Sequence, residues 1–424
     1  MIRYEFSAEA SRIVRSEIRE LLAWSRRADT ISFGGGLPDP SLFPVADLER
    51  ICAEVLDRKG YLALQYGPTP GEPEALESFS RYMGVYGDKA EPGSLCVVSS
   101  SQQALDLLTL LFLEPGAPAV VEIPSYVGAL QAFGRAGADL RGVPVGPEGM
   151  DLDALEETLR ALDREGKRPR FLYVIPDFQN PGGVTLSRAG RERLLSIAGE
   201  RGIPIVEDSP YRELSYGAES LPSLWTLSGG RGVILLKTLS KMLFPGFRLG
   251  WIAAEEEVLS KIIGLKQSVD LCSSSFLQLV TAAYFESGLM EGTLARARAL
   301  YAPKRDAMVE ALGRELPAGS RWTRPEGGVF CWATLPEGYD TREVLKAALG
   351  EGVAFVIGRA FHCDGGGTSS MRLNYSFPSL EAIREGASRL GRAIRAADPE
   401  RGEAAAERTA FDDGPSAAST RAGA

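Results

Sequence analysis

The chain has 424 residues, 44% of them hydrophobic, which is enough to bury a large core and to form a two-domain globular protein. A formal net charge of -9 argues against an unaided nucleic-acid surface, which needs a basic stripe, and favours small-molecule chemistry. Five scattered cysteines with no C-x-x-C pair signal neither a disulfide framework nor a zinc site. The single histidine, His362, leaves acid-base work to lysine, tyrosine or a carboxylate.

No apolar run approaches the roughly 20 residues that span a bilayer, and no basic-then-apolar signal opens the chain, so a soluble, cytoplasmic protein is expected. From about residue 95 to 253, short β-branched runs at 95–98, 119–123, 171–175, 203–206, 233–236 and 249–253 alternate with longer segments of helical spacing at 101–113, 151–162 and 187–200. That alternation predicts an α/β domain with a largely parallel, buried sheet, and ligands gather beyond the carboxyl ends of such strands. A second pattern at 305–394, with strands near 328–333, 353–357 and 371–376 and helices near 341–349 and 380–396, predicts a smaller α+β domain completed by N-terminal segments. The expected division is 1–60 for an N-terminal arm and part of the small domain, 61–304 for the large domain and 305–396 for the small one. The remainder, 397–424, nearly lacks large apolar residues and is expected to be disordered.

Five expected strand ends carry polar residues: Ser99-Ser100-Ser101-Gln102, Pro124-Ser125-Tyr126, Asp177-Phe178-Gln179-Asn180, Glu207-Asp208-Ser209 and Thr238-Leu239-Ser240-Lys241. Lys241 is the most telling. A lysine just past a buried strand can be kept desolvated and nucleophilic, fit to form a Schiff base with a carbonyl. The hydroxyls of Thr238 and Ser240, with Arg248 following, suit a phosphate, and pyridoxal 5'-phosphate needs both at once. Asp208 at a strand end could keep a pyridine nitrogen protonated, and Tyr211 and Asn180 could meet the ring oxygen, although a helix cap or turn at Asp208-x-x-Tyr211 and a turn asparagine at Asn180 fit the same letters. Ser100, Ser101 and Gln102 open a helix whose free N–H groups favour a phosphate, although a plain serine cap fits the same letters. Tyr126 can stack on a flat ring or fill the core. Arg372, inside an expected strand, is justified either by a buried ion pair or by a bidentate clamp on a substrate carboxylate.

In order and spacing this set resembles the fold type I pyridoxal-phosphate enzymes of the class I/II aminotransferase family, and most of all the bacterial 2-aminoadipate and aromatic aminotransferase group. Supporting words are Ser32-Phe33-Gly34-Gly35-Gly36-Leu37-Pro38, Gln65-Tyr66-Gly67-Pro68-Thr69-Pro70-Gly71 and Arg324-Pro325-Glu326-Gly327-Gly328-Val329-Phe330. The resemblance runs from about Arg12 to Ile394. It implies a large domain with a mostly parallel sheet sandwiched by helices, a smaller α+β domain, and amino-group transfer from an L-amino acid to a 2-oxo acid. It further implies that Lys241 anchors the cofactor and shuttles the proton, that Asp208 pairs the ring nitrogen, and that Asn180 and Tyr211 hold the ring oxygen under Tyr126. Ser101, Gln102, Thr238, Ser240 and Arg248 would bind the phosphate, with Tyr66 reaching in from the second subunit of a homodimer. Arg372 and Asn180 would grip the α-carboxylate beside the backbone of Gly35, and an N-terminal helix carrying Ser16 and Arg19 would face the substrate side chain.

The chain departs from the family pattern at Gly182, at Asp177 and at His362-Cys363, positions expected around the substrate mouth. A lyase, replacement or decarboxylating enzyme using the same cofactor therefore stands as the alternative to transamination.

Overall fold

The computed structural model describes residues 2–13, 29–217 and 221–398. An eight-stranded sheet dominates, with strands β2 (Leu95–Val98), β3 (Pro118–Ile123), β4 (Asp139–Gly146), β5 (Gly149–Met150), β6 (Leu172–Val174), β7 (Ile205–Asp208), β8 (Val233–Thr238) and β9 (Gly250–Ala253) in the order β2-β9-β8-β7-β6-β3-β4-β5. Neighbours from β8 through β4 pair in parallel. Strand β9 runs against both β2 and β8, and β5 against β4, so β2, β3, β6, β7 and β8 share one direction and one carboxyl edge. The sheet is thus largely parallel with one reversed strand inside it.

These runs become strands because their apolar residues bury both faces: all four residues of β2 are apolar and buried, as are Val233, Ile234, Leu235 and Leu236 of β8, whose last residues, Lys237 and Thr238, are buried too, Lys237 against Glu213 at 2.6 Å. Connecting helices show the 3.6-residue period instead. In the helix Leu152–Arg164, Leu152, Leu155, Leu159 and Leu162 are buried along one face, and Asp151 caps the start by accepting from the N–H groups of Asp153 and Ala154.

A second sheet of four strands, β10 (Arg321–Trp322), β11 (Phe330–Thr334), β14 (Ser370–Asn374) and β13 (Val356–Ile357), is antiparallel throughout. The run expected as one strand at 353–357 divides here. Its first part, β12 (Val353–Ala354), pairs in parallel with β1 (Ile31–Ser32), and its second part, β13, joins β14. Strand β4 was absent from the expected elements, since arginine, glycine and proline interrupt its alternation. Of the segment expected as an N-terminal helix, 14–28, including Ser16 and Arg19, lies outside the described residues, as does 399–424 of the expected disordered tail. Among the described residues no helix is long and apolar enough to cross a membrane.

Candidate active site

The shared carboxyl edge of the large sheet brings the five polar loops together. Lys241, three residues past β8, is partly buried and donates from Nζ to the Gly36 carbonyl at 2.7 Å. Burial, joined by the charges of Arg372 and Arg248, lowers its ammonium to about 8 against the pull of Asp208. Gly36 admits this approach because it lacks a side chain: a Cβ there would lie 2.6 Å from Phe330 Cζ and 3.3 Å from Lys241 Nζ.

Asp208, 2% exposed, ends β7. Its Oδ2 accepts from the Tyr173 phenol at 2.8 Å, while Oδ1 is buried with no hydrogen-bond partner among the described residues. Burial raises the carboxyl to about 6, partly offset by Tyr173 and by the nearby Ser101 and Lys241. A buried acceptor without a donor is costly, so an orphaned carboxylate oxygen facing a pocket marks a place for a ligand N–H. The preceding residue points elsewhere: Glu207 caps a neighbouring helix through the N–H groups of Leu224 and Trp225.

Arg248 gathers hydroxyls rather than carboxylates. Its Nη2 donates to Ser100 Oγ at 2.6 Å and its Nη1 to Ser240 Oγ at 3.4 Å, and Thr238 Oγ1 lies 3.0 Å from Ser240 Oγ. Ser100 and Arg248 both hold left-handed backbone, φ 66 and φ 50, a conformation that costs an L-residue roughly 1–2 kcal/mol. Among the described residues Arg248 has no ion pair, so an unneutralised guanidinium and several hydroxyls converge beside the first turn of the helix Ser100–Phe112. Ser101 is buried there with an unpaired Oγ, whereas the Gln102 side chain turns outward to the Gly128 carbonyl and to the Tyr126 phenol at 3.3 Å.

Opposite Lys241, Asn180 donates from Nδ2 to the Tyr211 phenol at 3.3 Å and accepts at Oδ1 from Arg372 Nη1 at 2.9 Å. Arg372 Nη2 donates to the Gly34 carbonyl at 2.7 Å, so the segment Gly34–Gly36 links Arg372 to Lys241 across Gly35. The Arg372 guanidinium lies over the Phe330 ring at 4.0 Å and near the Phe361 ring at 5.0 Å, with Nε unpaired. It is 5% exposed and has no carboxylate partner among the described residues, so the buried ion pair that sequence alone allowed is absent. Burial lowers its guanidinium to about 10.

Sequence reasoning overlooked Tyr173, Phe330, Phe361 and the carbonyls of Gly34 and Gly36. Only Tyr173 left a signal, a phenol inside a fully buried apolar strand that must find a partner. One expectation is corrected: Asp177 is not at the substrate mouth. It is buried against Arg191, whose Nη2 reaches Asp177 Oδ1 at 2.6 Å and which also donates to the carbonyls of Pro176, Leu186 and Pro222. His362 stands beside the site, stacked on Trp332 at 6.5 Å with Nδ1 3.3 Å from Asp364. Tyr66 is 78% exposed, and among the described residues no hydrogen bond joins its side chain to this cluster.

A lysine of lowered pKa, an orphaned carboxylate oxygen and an arginine-hydroxyl cradle fit the aldehyde, ring nitrogen and phosphate of pyridoxal phosphate. Comparison with known proteins agrees. Residues 43–390 match the family model described as aminotransferase class I and II. The chain belongs to that family. It is 44% identical to an aromatic-amino-acid aminotransferase of Thermococcus litoralis over 391 residues, 92% of this chain and 94% of that one. It is also 44% identical to a 2-aminoadipate transaminase of Thermus thermophilus, over 92% of this chain and 96% of the relative. The alpha-aminoadipate aminotransferase of Thermus thermophilus, solved with N-(5'-phosphopyridoxyl)-L-leucine, aligns with a TM-score of 0.85 at 43% identity, covering 92% of this chain and 97% of that one. This aminotransferase therefore has the type I fold, depends on pyridoxal phosphate and moves an amino group from an amino acid to a 2-oxo acid.

Proposed function

We propose that the substrate amino acid lies between Lys241 and Arg372, with its α-carboxylate on Arg372 and Asn180. The observation that carries this reading is the buried Arg372 guanidinium, without an acidic partner among the described residues and held by an amide and a backbone carbonyl. Keeping a charge desolvated is expensive, and an incoming carboxylate repays it through charge-assisted hydrogen bonds.

Pyridoxal phosphate, when bound, supplies an aldehyde carbon and an electron-withdrawing ring that let an amino group leave one α-carbon and return to another. Lys241 Nζ, whose ammonium titrates near 8, takes the proton from the substrate α-carbon and redelivers it. Asp208, through its unpaired Oδ1, would hold the ring nitrogen, and its negative charge would favour the protonated ring. Asn180 and Tyr211 would hold the ring oxygen, and Tyr126 would stack on the ring. Ser100, Ser101, Gln102, Thr238, Ser240 and Arg248 take the phosphate. A homodimer in which Tyr66 completes the phosphate site of the partner is supported by the exposure of Tyr61, Leu64 and Tyr66, at 86%, 77% and 78%.

Holoenzyme mixed with one amino acid and no oxo acid tests the reaction. Stoichiometric release of the matching 2-oxo acid is expected. Release of ammonia or carbon dioxide over many turnovers would overturn it. Acidic and aromatic donors are the first to compare, and sedimentation equilibrium reads the oligomeric state.

A further inference from the structure

Beside the site, and assigned no part in it so far, lies a buried carboxyl that the chemistry does not use. Glu122, in β3, is 2% exposed. Among the described residues it has no cationic partner, and the charge acting on it is the like charge of Asp208. Its Oε2 accepts from the Ile175 N–H at 3.1 Å and from Gln179 Nε2 at 3.2 Å.

Gln179, 1% exposed, is the knot to which this carboxyl is tied. Its Nε2 also donates to the Pro124 carbonyl at 2.7 Å, and its Oε1 accepts from the Gly182 N–H at 2.7 Å. Its own backbone closes the same loop, with N–H to the Val184 carbonyl at 2.8 Å and the carbonyl accepting from the Gly183 N–H at 2.6 Å. One side chain therefore joins the loop after β3, which leads to Tyr126, to the loop after β6, which carries Asn180. Both loops contain a cis X-Pro bond, Ile123-Pro124 and Asn180-Pro181.

We infer that Glu122 is a positioning residue for substrate recognition: through Gln179 it sets the separation of the Tyr126 and Asn180 loops, and so where the Asn180 amide meets Arg372 and Tyr211. The inference rests on the assignment of Arg372 and Asn180 to the substrate carboxylate. Its chemistry asks for an acceptor at the Glu122 position, not for a charge. Gln179 Nε2 and the Ile175 N–H both point donors at one oxygen, and the carbonyl oxygen of a glutamine would serve them as well. Burial, which pushes the Glu122 carboxyl up to about 8, agrees with an uncharged working form. Neutrality would also free Asp208 from a like charge close by.

The test compares holoenzyme of wild type, Glu122→Gln, Glu122→Leu and Gln179→Leu in steady-state transamination at saturating 2-oxo acid, with cofactor content and melting temperature measured alongside. Glu122→Gln keeps the acceptor and should hold KM for the amino acid within about 3-fold of wild type. Glu122→Leu and Gln179→Leu should each raise that KM by about 10-fold or more, with a smaller effect on kcat and with full cofactor content. Wild-type KM in both leucine variants would overturn the inference. So would equal damage in Glu122→Gln and Glu122→Leu that follows their melting temperatures, the mark of a merely structural role. Arg372→Met runs beside them to keep the two assignments apart. If it leaves KM unchanged, the carboxylate assignment itself fails; if it raises KM while the leucine variants do not, only the role of Glu122 fails. Should Glu122→Leu not fold, Gln179→Leu carries the same comparison.

Discussion

Replacing Arg372 with methionine should separate activity from stability. Holding this guanidinium in a buried place without an acid lowers it to about 10, equivalent to about 3 kcal/mol against the charged form at neutral pH. Methionine removes that cost. It also strips donors from Asn180 Oδ1 and the Gly34 carbonyl, at about 1–1.5 kcal/mol each. The two effects nearly cancel, so the apoprotein should change stability by no more than about 1–2 kcal/mol in either direction. The substrate loses two charge-assisted hydrogen bonds worth about 1.5–3 kcal/mol each, and kcat/KM for the amino acid should fall by roughly 10²-fold or more. Thermal melting of the apoprotein and steady-state kinetics on the same preparation measure both quantities. If melting temperature and kcat/KM fell together, with loss of fold accounting for loss of rate, Arg372 would be a structural residue and the carboxylate assignment would be wrong.

Lys241→Ala should abolish turnover while circular dichroism and melting stay close to wild type, because among the described residues the side chain makes one hydrogen bond, to Gly36, and no ion pair; turnover near the wild-type rate would refute its role. In the apoprotein, reductive methylation of Lys241 followed by mass spectrometry should rise with pH about a midpoint near 8, rather than the ordinary lysine value of about 10.4. Since Arg372 and Arg248 add to the effect of burial, Arg372→Met should move that midpoint upward. Asp208 titrates near 6 in the folded apoprotein against about 3.9 when unfolded, so the folded form binds more protons between those values and loses stability as pH rises through them. Asp208→Asn should remove about 3 kcal/mol of that decline, read from denaturant midpoints between pH 4 and 7, while cutting kcat by roughly 10²-fold or more. Arg248→Ala should weaken cofactor retention on dialysis about 10-fold or more, because the cradle loses its only guanidinium among the described residues.

Much of this site was legible in the chain because local chemistry writes it locally. Lysine, hydroxyl and arginine sit within eleven residues from Thr238 to Arg248, and the structure keeps Thr238, Ser240 and Arg248 together. Other residues were legible only in identity. Arg372 inside a strand posed a choice between an ion pair and a ligand clamp, and no local feature distinguishes them. Asp177 gave the opposite outcome: an unusual acid near the site by sequence proved to be neutralised by Arg191. Phe330 and Phe361 gave no sign at all, since an aromatic ring in an apolar run reads as core whether or not a guanidinium lies over it.

By itself the sequence determined the alternation of strands and helices, the polar residues at the strand ends and the kinds of functional group available, because burial period and capping act over a few neighbouring residues. Tertiary structure decided the strand order, with β9 reversed between β2 and β8, and hence which loops share one edge. It alone decided that Arg372 meets Asn180, 192 positions away, and the Gly34 carbonyl, 338 positions away. The physical reason is that desolvation depends on everything packed around a group. The lowered pKa of Lys241, the orphaned oxygen of Asp208 and the unpaired charge of Arg372 are therefore properties of the assembled cleft rather than of any segment that lines it.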